Sequence, residues 1–167
     1  RSPTERAVWQ PLIGLYRENW RSAGHPGNGR VMLSFSMCCM PNREDAIAAF
    51  RAPMNGYMKA LVAAASGWFG GSSKDYPGYD KLIAEFAKES WQTQVDKGVA
   101  WIGTPKKLVG MIREYTHACG GIDVASMQVN FGVMSKEKAE ASMRLFAKEV
   151  MPALKALTPS PMQAVGV

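Results

Sequence analysis

Two stretches of this chain alternate as strands do, and about 80 residues separate them. From Arg30 to Met40, the side chains Val31, Leu33, Phe35, Met37 and Cys39 fall on one face, and Met32, Ser34, Ser36 and Cys38 on the other. From Ile122 to Phe131, Ala125, Met127, Val129 and Phe131 oppose Val124, Ser126, Gln128 and Asn130. The intervening and flanking segments read as helices and turns, and strands interleaved with helices imply a parallel sheet with helical cover. A parallel pair by itself leaves two open edges and buries too little to stand alone. The expectation is therefore an α/β fold with two parallel strands at about 30–40 and 122–131 plus covering helices. Such a sheet needs completing, by a missing N-terminal half or by another chain, with a homo-oligomer as one route.

The helices have readable boundaries. One runs from Thr4 to about Ser22 with Pro11 expected in its first turn, and the turn-rich Gly24 to Gly29 ends it. After Pro41-Asn42 a helix starts near Arg43, and Pro53 should break it before a second piece from Asn55 to about Ala65. Gly67 to Gly78 reads as a long irregular excursion, followed by short helices at Asp80 to Glu89 and Ser90 to Lys97. Thr104 before Pro105 is a cap followed by a first-turn proline, and Gly120-Gly121 closes that helix. Ser135 opens the last one. The chain thus reads as one domain over 1–157, with a helical and loop insertion at about 67–100 and a flexible tail at 158–167.

Composition removes several classes. The 20 Lys and Arg against 14 Asp and Glu give a net charge of +6, spread without a basic run. That pattern favours solubility over nucleic-acid binding. No apolar run approaches the length of a membrane span, and Arg1-Ser2-Pro3-Thr4 does not open a signal peptide, so the expected location is cytoplasmic. The three cysteines, Cys38, Cys39 and Cys119, cannot build a disulfide framework and read as buried thiols. Neither His25 nor His117 has partners at metal-ligand spacing, so no metal site is expected.

The final third carries a resemblance. Trp101-Ile102-Gly103-Thr104-Pro105, the helix Lys106 to Cys119, and Gly120-Gly121-Ile122-Asp123 resemble the closing segment of the bacterial luciferase-like flavin-dependent monooxygenases. Met127 to Gly132 and Ser142 to Pro152 extend it, and Leu15 to Glu18 with Glu44-Asp45-Ala46 are similar to the same family one unit earlier. The resemblance implies the C-terminal part of a (β/α)8 TIM-type barrel, the two strands being its last. It also implies a parent that uses reduced FMN, supplied by a separate flavin reductase, and O2 to oxidise a small apolar substrate. Two alternatives stay open: a truncated non-catalytic relative that binds flavin or dimerises, and a reductase that transfers hydride from a deazaflavin. The family's catalytic and main flavin contacts belong to earlier strands, so no catalytic or cofactor-binding residue is assigned, and the fragment alone is expected to be inactive.

Barrel sites lie at the C-terminal strand ends. Alternation nominates Ser36, Cys38, Gln128 and Asn130 as cavity lining, with a polar layer of the barrel wall as the competing reading. In the excursion after the first strand, Trp68, Phe69, Tyr76 and Tyr79 could form an apolar lid that keeps water from a reduced flavin. A packed loop or subunit contact would explain the same residues.

Overall fold

The computed structural model describes residues 5–68, 71, 74–75 and 77–156. Helix α1 (Glu5–Ser22) leads into β1 (Met32–Cys39), α2 (Arg43–Ala64) and a 3-10 turn at Ser66–Trp68. The short helices α3 (Tyr79–Phe86) and α4 (Trp91–Asp96) precede β2 (Ala100–Gly103), and α5 (Pro105–Ala118) leads to β3 (Val124–Gln128). Helix α6 (Lys136–Leu145) continues through a π-helical turn at Phe146–Val150 into α7 (Met151–Lys155). The wide turn precedes Pro152, which has no N–H to return to the turn before it.

The sheet has three strands rather than the two expected, all parallel, in the order β2-β1-β3. The added strand, Ala100 to Gly103, is buried at every position. Four residues covered on both faces carry no alternation, which is why periodicity passes over them. The two expected strands are shorter than their patterns, spanning 32–39 and 124–128.

Strand order decides where the helices go. The connection from β1 to β2 runs one way along the sheet and that from β2 to β3 runs back, so right-handed crossovers place α2 and α5 on opposite faces. Phe35, Met37 and Cys39 of β1 join Trp101, Leu108, Ile112, Tyr115, Phe146 and Val150 in the larger core. The Phe35 ring stacks on Trp101 at 3.8 Å and meets Tyr115 edge-on at 4.9 Å. On the other face Cys38, Ala100 and Ile102 pack under α2 with Ala46, Phe50 and Met54. Each such large apolar side chain contributes about 1.5–3 kcal/mol on burial.

Two prolines are placed differently from the expectation. Pro11 lies inside α1 rather than in its first turn, and Pro53 lies inside a continuous α2 rather than dividing it. Pro53 is buried with Ala49, Phe50 and Met54, and this packing holds the helix on both sides of the missing hydrogen bond. Thr104 caps its helix as read, and Asn42, Ser90 and Ser135 likewise each accept a backbone N–H of the first turn.

Candidate functional site

The β1–β3 pair is covered on one face and open on the other. Register sets Met32 against Val124, Ser34 against Ser126, and Ser36 against Gln128. Ser34, Ser126 and Gln128 are exposed, Ser36 is half-buried, and Met32 is 65% exposed for want of a neighbour. The result is a shallow wall with hydroxyl and amide groups in its middle and apolar groups at one end. Ser36 and Gln128, two of the nominated residues, are thus brought side by side on one face. Asn130 lies beyond the end of β3 and is exposed.

Cys38 shares this face by parity but not by access, since it is fully buried beneath α2. Alternation nominates it for a cavity wall; the packing of α2 over the C-terminal half of β1 turns it into core. Burial pushes its thiol up to about 11, against smaller opposing effects of the Ser142 hydrogen bond and of Lys138. Burial does the same to Cys39, also to about 11, helped by Cys38 and Glu149. Neither is a thiolate at neutral pH, so neither is a nucleophile.

The loop after β3 closes the same end of the sheet. Phe131 and Met134 pack with Phe50, the two phenyl rings edge-to-face at 5.0 Å. Gly132 makes this possible: its φ is +61°, and a Cβ there would come within 2.5 Å of the Pro53 carbonyl oxygen. Of the expected lid, Trp68 is 51% exposed in the turn that follows α2. Phe69, Tyr76 and the side chain of Tyr79 lie outside the described residues.

A cleft beside β2 was not legible in the sequence. A cleft of about 410 Å³ follows β2, between Ile47, Trp91 and Val95 on one side and Trp101 and Met111 on the other. The one available signal was the run Ala100-Trp101-Ile102, too short to show a period. Among the described residues no group of three or more His, Cys, Asp or Glu could hold a metal ion, and no helix is long and apolar enough to cross a membrane.

This architecture, a parallel sheet with helices, is α/β and corresponds to part of a TIM-type barrel. Solved structures that share it include the monooxygenase RslO1 from Streptomyces bottropensis, at 20% identity and a TM-score of 0.58, covering 89% of this chain and 39% of that one. The oxygenating constituent of 3,6-diketocamphane monooxygenase from Pseudomonas putida, a type II Baeyer-Villiger enzyme in complex with FMN, matches at 20% identity and 0.60, with coverage of 89% and 40%. EDTA monooxygenase from Chelativorans sp. BNC1 matches at 15% and 0.55, with coverage of 95% and 39%. The chain spans about two fifths of the length of these structures. No protein-family model matches it, and neither does any curated protein sequence.

The open face fits one wall of a flavin site. Hydroxyls of Ser34, Ser36 and Ser126 suit a ribityl chain, and the Gln128 amide can both donate to and accept from a pyrimidine ring edge. Met32 and Val124 suit the apolar end of the ring system. The six residues include no Lys or Arg, so the phosphate is not theirs to hold.

Proposed function

We propose that this chain is part of a flavin-dependent monooxygenase and supplies one wall of the cavity that holds reduced FMN and a small apolar substrate. The observation that carries the reading is the open β1–β3 face, where Ser36 and Gln128 sit in register among hydroxyl groups on a sheet whose other face is packed. The shared fold with three monooxygenases supports it. The flavin, when bound, supplies the oxygen chemistry; the chain's residues bind and orient it and shed water from its ring. Gln128 would hold the polar ring edge, Ser36 the ribityl chain, and Met32 and Val124 the apolar edge. Further polypeptide, an N-terminal half or another chain, completes the wall, and a separate reductase delivers the reduced cofactor.

The test is oxygen uptake by this chain assembled with the polypeptide that completes its sheet, given reduced FMN and then a reduced deazaflavin. Uptake with FMN that falls at least tenfold in Gln128→Ala supports the proposal. Substrate reduction by the deazaflavin without oxygen uptake would replace it with a hydride-transfer reductase. Unchanged uptake and flavin affinity in both Ser36→Ala and Gln128→Ala would remove these residues from the cavity.

A further inference from the structure

The turn that joins α1 to β1 holds Asn28 directly before Gly29, and α2 holds a second such pair, Asn55 before Gly56. The other three asparagines, Asn19, Asn42 and Asn130, precede Trp20, Arg43 and Phe131. An asparagine carboxamide can close a five-membered ring with the next backbone nitrogen, and asparagine is for this reason a chemically labile side chain. Glycine shields that nitrogen least, because it has no Cβ. The two Asn-Gly pairs are alike in chemistry and differ in structure.

Asn28 is exposed, and neither its carboxamide nor the Gly29 N–H meets a partner among the described residues. Anchors stand on either side: Trp20 Nε1 donates to Pro26 O at 2.9 Å, and Val31 N–H donates to Asp123 Oδ2 at 2.8 Å. Between them Gly27 and Gly29 have φ of +71° and +70°, so Asn28 is flanked by the residue type with the widest torsional range. The backbone over 27–30 is free to turn the Gly29 nitrogen toward the Asn28 carboxamide. Asn55 has no such freedom. In α2 the Gly56 N–H belongs to the helical ladder, and helical torsions hold it away from the side chain before it. The half-buried Asn55 carboxamide is also engaged, its Oδ1 accepting Trp91 N–H at 3.0 Å.

We propose that Asn28 is a site of spontaneous modification, converted through a succinimide to aspartate and isoaspartate, and that the fold protects Asn55 from the same reaction. The Gly29 backbone nitrogen attacks Asn28 Cγ. The N–Cγ bond forms, the Cγ–Nδ2 bond breaks, and the nitrogen's proton leaves with Nδ2 as ammonia. Water then opens the ring at either carbonyl, giving aspartate, or isoaspartate with the main chain routed through the side chain. Water is the one co-reactant. Isoaspartate lengthens the main chain by one methylene. The anchors at Pro26 and Val31 confine that length to the turn, so β1 keeps its register with β3 while the turn gains a carboxylate. The reaction needs no flavin, so it stands or falls apart from the proposed function.

The full chain is aged at pH 8 in heavy-oxygen water and then digested with trypsin in ordinary water. Cleavage at Arg21, Arg30, Arg51 and Lys59 isolates each pair in its own peptide, 22–30 and 52–59. Asn28 should gain a heavy-oxygen carboxyl group at least tenfold faster than Asn55, as a mixture of aspartate and isoaspartate that electron-transfer fragmentation resolves. In guanidinium chloride, which releases both pairs, the difference should shrink to less than threefold. The more acidic species that ion exchange separates from the aged protein should be absent from Asn28→Gln. An unlabelled Asn28, or equal rates for both asparagines in the native chain, would overturn the proposal. So would a native difference that persists in denaturant, by tracing it to neighbouring residues and not to the fold, or an acidic species that still forms in Asn28→Gln.

Discussion

Ser142 Oγ accepts the backbone N–H of Cys39 at 2.8 Å, at the point where β1 has outrun β3. The last β3 residue in register is Gln128, opposite Ser36, so Cys39 is the next β1 donor on that side with no strand to meet it. A fully buried serine on α6 takes the place of that strand, and its hydroxyl points its own hydrogen toward Met37 Sδ at 3.5 Å. Ser142→Ala should therefore strand a buried N–H and cost about 1–3 kcal/mol. Urea denaturation would report it as a lowered midpoint with an unchanged slope. An unchanged midpoint would mean that the Cys39 donor finds another acceptor.

That contact marks the limit of what the sequence discloses. β1 was legible because Val31, Leu33, Phe35, Met37 and Cys39 face one core, which imposes period two on them. Thr104 and Pro105 were legible because caps act locally. Ser142 was not, since a serine in a helical pattern looks the same whether it faces water or a strand edge. β2 was hidden by cover on both faces, and Pro53 was misjudged because packing overrides local preference. Ser36 and Gln128 could be placed on one face by parity alone. Whether that face is open depends on where α2 lies, and strand order, which no local pattern encodes, sets that.

Gly132 should tolerate no side chain. Its positive φ is unfavourable for any other residue, and an added Cβ meets the Pro53 carbonyl, a backbone atom that cannot swing aside. Gly132→Ala should cost about 2 kcal/mol or more. The same substitution at Gly56, where nothing lies within 4 Å, should be neutral or stabilising. Comparable thermal midpoints for the two variants would contradict the close approach.

The cysteines should be silent until the chain unfolds. Cys38, Cys39 and Cys119 are all buried, and the first two titrate at about 11. A thiol-reactive disulfide reagent at pH 8 should label none of the three in the native protein and all three in denaturant. The raised values also fix a pH dependence. Below about 9, the usual thiol value, Cys38 and Cys39 are protonated folded or unfolded, and their burial carries no penalty. Between about 9 and 11 the unfolded chain loses protons that the folded one keeps, so stability should fall as pH rises through that window. Replacing both cysteines with alanine should flatten this fall.

Glu89 holds one wall of the cleft in place, and its ionisation should govern how firmly. Its carboxylate accepts from Thr93 Oγ1, from Gln94 Nε2 at 3.0 Å and from Lys97 Nζ, clasping α4 from its first turn to its end. Trp91 and Val95 of that helix form the wall, and Trp91 N–H donates to Asn55 Oδ1 of α2 at 3.0 Å. Burial works to raise the pKa of Glu89, but the bonds from Lys97, Thr93 and Gln94 outweigh it and hold the carboxyl below its usual value. The clasp is then complete above the unfolded value of 4.5 and is lost as pH falls through the lower folded one. Glu89→Gln should cost about 1–2 kcal/mol at pH 7, and the difference from the parent protein should close as the solution is acidified. Urea midpoints of the two proteins measured between pH 7 and 3 give that difference directly. A gap independent of pH would show that the residue acts through packing and not through charge.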